Sequence, residues 1–127
     1  MIDDLMVQQQ VKSEWQHMVG VMCLNLTYRK QVKKLLPKFF KRYPNASTFL
    51  RGRYNAQEKM LRPLGMSTVR AKRMRQMSLD FLSWDHKDAT DLHGIGKYGS
   101  DSYKIFYKNE IPDDVQDKEL KKYIGIV

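Results

Sequence analysis

"LHGIGKYGSDSY", Leu92 to Tyr103, places three glycines, Gly94, Gly96 and Gly99, within six residues and runs straight into an apolar-periodic stretch. Glycine takes positive φ at no steric cost and lets a ligand or another backbone come close. A loop that only reversed the chain could manage with one. "KDATDL" before it reads as a short helical turn, and "SDSYKIFYKN" after it reads as a helix with Tyr103, Phe106 and Tyr107 facing inward. The segment is thus helix, glycine turn, helix, over about residues 88–109.

The rest of the chain agrees with that beginning. Trp15, Met18, Val19, Met22 and Leu26 fall on one helical face, and Val32, Leu35, Leu36, Phe39, Phe40 and Tyr43 on a second. "RYPN" ends the second helix, and Asn45 begins a short one over "NASTFLRG". "NAQEKMLRPLG" reads as a capping box with Asn55 as N-cap, Glu58 at N3 and Gly65 as the stop. "STVRAKRMRQMSLDFL" starts at Ser67 as N-cap, with Val69, Met74, Met77, Phe81 and Leu82 inward and Arg70, Lys72, Arg73 and Arg75 mostly outward. No period-two alternation lasts long enough for a strand. The expectation is an all-α domain of about seven short helices, undivided over residues 1–127.

Composition narrows the function. No stretch is apolar enough to cross a membrane, and no charged-then-apolar leader opens the chain, so it reads as soluble, intracellular and untargeted. The single cysteine, Cys23, cannot form an internal disulfide or a zinc knuckle, and in "MVGVMCLNL" it reads as a buried, inert thiol. No metal or small-molecule cofactor is implied. The net charge of +9 is concentrated: residues 29–75 carry fifteen Lys/Arg against Glu58 alone, while residues 1–28 are net −2 and residues 76–127 net −3. A section so one-sided points to a polyanion, most simply double-stranded DNA bound through its phosphates. Solvated helix faces in a basic protein would look the same, and Arg70, Lys72, Arg73 and Arg75 are the residues at stake.

Helix, hGhGxxG, helix is the pattern of a helix-hairpin-helix motif. Its glycines let the backbone approach a phosphate, and amides near Gly99 and Ser100 at the start of the second helix point at the anion, with Lys97 beside them. Such binding reads the backbone and not the bases. A glycine-rich helical hairpin without a ligand is the plainer alternative, and the basic section that precedes the loop weighs against it.

At these residues the chain resembles the helix-hairpin-helix DNA glycosylases, and among them the glycosylase domain of the methyl-CpG-binding-domain type, which removes thymine or uracil mispaired with guanine. "W..MVGVMCLNLT", "FFKRYPNA", "LRPLGMSTVRAKRM" and "DKELKKY" extend the resemblance over about residues 5–123. It implies excision of a flipped base by hydrolysis of the N-glycosidic bond in base-excision repair, by a monomer that needs no cofactor. It places the catalytic carboxylate at Asp117, with Asp113 and Asp114 as substitutes; a helix-capping Asp117 in a solvated acidic turn is the alternative. It places a pocket tyrosine at Tyr98, where strand-cutting relatives carry a lysine, and so implies no lyase activity.

The resemblance also sets a glutamine of "VQQQV" against the flipped pyrimidine; Gln8 fits best, with Gln9 and Gln10 open. Leu26 and Met66 fall where the family fills the hole left by the base, although the family usually has arginine at the position of Leu26, which puts strict choice of the opposite base in question. Ordinary core packing is the alternative for both. The chain ends four residues after Tyr123, where the resembled domain continues, implying a thinner wall or one completed by a partner. A catalytically inactive DNA-binding module, or an enzyme for a modified pyrimidine, are the rival functions.

Overall fold

The computed structural model describes residues 6–125. Among them there are eight α-helices and no strand: α1 Val7–Gln10, α2 Glu14–Leu24, α3 Arg29–Arg42, α4 Ala46–Arg51, α5 Tyr54–Leu61, α6 Ser67–Leu82, α7 Lys97–Tyr107 and α8 Lys118–Tyr123. Two short 3-10 turns, Arg62–Leu64 and Ala89–Asp91, precede α6 and the glycine loop.

The core forms around α2, which is buried on nearly all sides, as a central helix is, with Gln16 and His17 among its buried residues. Trp15 through Val21 and Cys23 are all buried, and α1, α3, α6 and α7 pack against it. The α3 helix is amphipathic, turning Val32, Leu36 and Phe39 inward and leaving its lysines at the surface. Phe39, Tyr43 and Phe49 meet with ring centroids 5.3–5.7 Å apart, and Trp15 lies 5.8 Å from Phe49. The buried indole of Trp15 donates to Ser78 Oγ at 3.0 Å, so its polar end is satisfied. Cys23 is buried as expected, and burial pushes its thiol up to about 12, which keeps it inert.

Two glycines on the central helices permit close contacts there. A β-carbon on Gly20 would lie 2.7 Å from Val7 Cγ1, so the short α1 seats on α2 only because that atom is missing. A β-carbon on Gly99 would lie 2.6 Å from Ile95 Cγ2 and 3.0 Å from Val21 Cγ1, so Gly99 joins α7 to α2. A smaller apolar cluster of Met6, Val115 and Leu120 attaches α8, helped by Tyr123 stacked on Phe106 at 4.6 Å.

Several local expectations need correction. The α5 helix starts after Arg53, not Asn55, and Glu58 binds Arg62 and Ser67 instead of closing a capping box. Met66 is the N-cap of α6, and Ser67 is its first helical residue. Leu26 lies beyond the end of α2 and is exposed, and Val69 and Leu82 point outward. Conversely, Arg70 and Arg75 turn inward, because each finds several carbonyl acceptors there. Arg75 donates to Gln57 Oε1 at 2.9 Å and to the carbonyls of Leu50 and Gly52 at 3.2 Å, tying α6 to α4 and α5.

Candidate active site

The loop between Leu92 and Lys97 turns at Gly94, whose φ of +81° is the left-handed region that glycine takes without strain. Gly96 is the N-cap of α7 and is exposed. The amide of Ser100 donates to Gly96 O at 2.9 Å, closing the first turn of the helix. That amide is therefore unavailable to an anion, and the unpaired donors of this terminus lie earlier, from Gly96 to Gly99. Gly99 packs into the fold rather than toward solvent, so its part in phosphate binding is confined to its amide. Lys97 is half exposed and reaches Asp101 Oδ2 at 2.9 Å, one turn on.

Beside this loop opens a cavity of about 720 Å³. Gln8 from α1, Tyr98 from α7 and Asp117 from the start of α8 all line it, together with Leu26, Met66, Arg29 and Glu119. Three residues that are far apart in the chain thus share one wall. Among the three consecutive glutamines the geometry selects Gln8: it is buried and reaches α7, while Gln9 turns back to accept from Met6 N at 2.8 Å.

The Gln8 amide nitrogen donates to the Tyr98 hydroxyl oxygen at 2.6 Å and to Ser102 Oγ at 2.9 Å. Ser102 Oγ in turn lies 2.9 Å from His17 Nε2. With its oxygen accepting from Gln8, Ser102 has its O–H to donate to a neutral His17. Burial holds His17 at about 4, well below an ordinary histidine, so it is neutral at physiological pH, with Nδ1 buried and unpartnered. Burial also pushes the Tyr98 phenol up to about 12, and the nearby charges of Asp117 and Glu119 add to the rise. The phenol stays protonated. Because its oxygen accepts from Gln8, its O–H remains for a ligand.

Asp117 does two things at once. Its carboxylate accepts from Leu120 N at 3.0 Å as the N-cap of α8, and it faces the cavity. The capping alternative is therefore true without displacing the site. Asp113 and Asp114 are exposed and outside the cavity lining, and Asp114 pairs with Gln116. Glu119, two residues on, is held by Arg29 at 2.6 Å, which leaves Asp117 as the lining carboxylate without a cation against it in the ion pairs of the described residues. The Arg29–Glu119 pair and the His17–Ser102 pair were not foreseen. For Ser102 a signal existed, since it lies one helical turn after Tyr98.

Leu26 and Met66 are not core residues. They are 80% and 48% exposed at the cavity rim, and both have left-handed backbone, with φ of 55° and 49°. Lys72 and Arg73 are exposed, and Arg73 also lines the cavity. Arg70 is only 6% exposed, and its guanidinium is occupied by loop carbonyls. As direct phosphate contacts, Arg70 and Arg75 are therefore withdrawn.

Comparison with known proteins agrees with this architecture. No family model matches the chain. It is 35% identical over 94 residues, 72% of its length, to the methyl-CpG-binding domain protein 4-like protein of Arabidopsis thaliana. The match spans 21% of that relative, so the chain corresponds to a minor part of it. Among solved structures it superimposes on a thermostable thymine-DNA glycosylase with a TM-score of 0.74 at 19% identity, covering 80% of this chain and 50% of that one. A trapped covalent endonuclease III–DNA intermediate superimposes with a TM-score of 0.71 at 14% identity, covering 91% and 59%. The fold is the all-α fold of the helix-hairpin-helix DNA glycosylases.

Proposed function

We propose that this chain is a monofunctional DNA glycosylase that removes a flipped thymine- or uracil-type base from double-stranded DNA, most simply from a G·T or G·U mispair. The observation that carries the reading is the convergence of Gln8, Tyr98 and Asp117 on one cavity beside the hairpin. The base leaves the stack and enters that cavity, while the exposed cations of α6 hold the backbone.

Recognition follows from what Gln8 and Tyr98 still have to offer. Both N–H bonds of the Gln8 amide are engaged, so it offers a carbonyl; the neutral Tyr98 offers a hydroxyl. An acceptor beside a donor suits the imide edge of thymine or uracil, an N–H next to a C=O. Cytosine presents a bare ring nitrogen and an amine there, the opposite pattern.

In the chemical step the bond from C1′ to the base nitrogen breaks and its electron pair leaves with the base. The sugar carbon becomes cationic, and the Asp117 carboxylate stabilises it. A water adds its oxygen to C1′ and gives a proton to Asp117, which returns it through solvent to the departing base anion and is a carboxylate again. Base and abasic sugar are the products. A lyase step needs an amine at C1′. The hairpin position that would supply it is Tyr98, and the Lys97 ammonium is drawn to Asp101.

A labelled-duplex panel with G·T, G·U and 5-substituted uracil pairs, read by alkali cleavage, tests the reading. Abasic sites are expected from the wild type and at least about a hundredfold more slowly from Asp117→Asn, with DNA binding retained and no borohydride-trapped adduct. A wild type that binds DNA and makes no abasic site from any pyrimidine would leave a binding module instead.

A further inference from the structure

Arg70 is built into the fold unlike the other cations of α6. Its Nε donates to Gly65 O at 2.8 Å and its Nη1 to Met22 O at 3.3 Å. Its Nη2 donates to Asn25 O at 2.8 Å and to Thr27 Oγ1 at 2.5 Å. Gly65 immediately precedes Met66, while Asn25 and Thr27 flank Leu26. One guanidinium therefore bonds to both loops that carry the exposed, left-handed apolar residues of the cavity rim.

Each of these acceptors is a carbonyl or hydroxyl oxygen. The carbonyls lie at the C-terminal ends of α2 and of the Arg62–Leu64 turn, where the backbone dipoles carry partial negative charge. Burying a guanidinium against neutral acceptors is costly, and an apolar side chain would fill the space with no desolvation penalty. What an apolar residue lacks is a flat, five-donor fork that can hold two separate loops at once; a lysine ammonium lacks it too.

We propose that Arg70 is a positioning residue that makes Leu26 and Met66 enter the duplex as one rigid unit. The inference rests on the function proposed above and on the resemblance, which sets these two side chains in the space left by an extruded base. Unstacking a base step opposes the entering side chains. Two loops hinged separately yield to that load, because each can relax its left-handed residue by swinging back. Joined through Arg70, neither moves without breaking bonds made to the other.

The test places 2-aminopurine, which brightens on unstacking, beside a target uracil in a G·U duplex. The wild type is expected to brighten it on binding. Arg70→Met, with unchanged circular dichroism, is expected to bind with little brightening. Its single-turnover excision of G·U uracil should fall on the order of tenfold to a hundredfold, and far less when the uracil faces an abasic site, where no partner base resists. Thr27→Val removes one acceptor and is expected to lose part of the brightening.

Full brightening by Arg70→Met overturns the clamp, and so does none by the wild type. Equal rate losses on the two duplexes overturn it as well, since they mean general support of the fold. If Arg70→Met does not fold, Thr27→Val decides, and unchanged brightening there refutes the proposal. Brightening by a wild type that makes no abasic site sinks the hydrolase reading and leaves the clamp judged by fluorescence alone.

Discussion

The Gln8 amide and the Tyr98 hydroxyl, ninety residues apart in the chain, meet at 2.6 Å inside the cavity wall. Each fixes what the other presents. Removing the phenol oxygen frees one N–H of Gln8, so the amide can turn and offer a donor where it offered an acceptor. Tyr98→Phe is expected to lower excision of uracil by about tenfold to a hundredfold and to narrow the preference for uracil over cytosine analogues. Competition assays with oligonucleotides bearing each base measure both. Undiminished preference would remove Tyr98 from base selection.

The cap that Asp117 forms can be separated from its proposed part in catalysis, because asparagine caps helices about as well as aspartate. Asp117→Asn should keep its melting temperature while losing on the order of 10²- to 10⁴-fold in single-turnover rate. Asp117→Ala should lose the same rate and in addition about 1 kcal/mol of stability through the missing cap on Leu120 N. A slow but well-folded asparagine variant is the decisive result; an active one would move the chemistry elsewhere.

His17 predicts a pH dependence of stability with a definite sign. Its folded value near 4 lies below the unfolded 6.5, so the unfolded chain binds the extra proton first. Stability from this group is complete above pH 6.5, falls as pH drops toward 4, and changes no further below that. The loss over this window is on the order of 3 kcal/mol. Urea midpoints of the wild type and His17→Gln at pH 7 and pH 4.5 should converge at the lower pH. Parallel curves would count against a neutral, buried imidazole.

Leu26 and Met66 place function and stability in opposition. Their left-handed backbone suits glycine, so Leu26→Gly and Met66→Gly should leave stability unchanged or raise it by up to about 1 kcal/mol. Binding to a mispaired duplex should meanwhile weaken and excision slow. Thermal melts together with duplex affinities check the pair of outcomes; loss of stability in either variant would return these residues to the core.

The cations of α6 divide by burial. Lys72→Gln and Arg73→Gln should each reduce the slope of log affinity against log salt by about one, evenly across sequences. Arg75→Gln should instead destabilise the fold, since it breaks bonds to Leu50, Gly52 and Gln57. Salt titrations and urea melts separate the two classes.

How much of this was legible in the sequence depends on how local each signal is. The helical class and the inward face of α3 follow from periodicity, and the glycine turn from the spacing of its glycines; the single face read for α2 missed that the helix is buried nearly all round and ends before Leu26. Which arginine is buried does not: Arg70, Lys72, Arg73 and Arg75 carry the same charge on one helix, and only the carbonyls of distant loops distinguish them. The starts of α5 and α6 were misplaced for a related reason. Asn55 and Ser67 are good caps, but Glu58 finds better partners in Arg62 and Ser67 than in a capping box. Gln8 could not be told from Gln9 and Gln10 until α7 was folded beside it. The resemblance named Asp117 and Tyr98, and both line the cavity; the Arg29–Glu119 pair that neutralises the neighbouring carboxylate had no signature in the chain.

The missing side chain at Gly20 reaches further than its size suggests. Four residues hold too few internal bonds to stay helical unaided, so the turn that carries Gln8 exists only by courtesy of the hollow that receives Val7. One added methyl at position 20 would unseat Val7 and carry Gln8 out of the cavity while sparing the aromatic interior, so the damage falls on one edge of the core. Faster amide hydrogen exchange over residues 7–10, against unchanged exchange in α3, would reveal the defect.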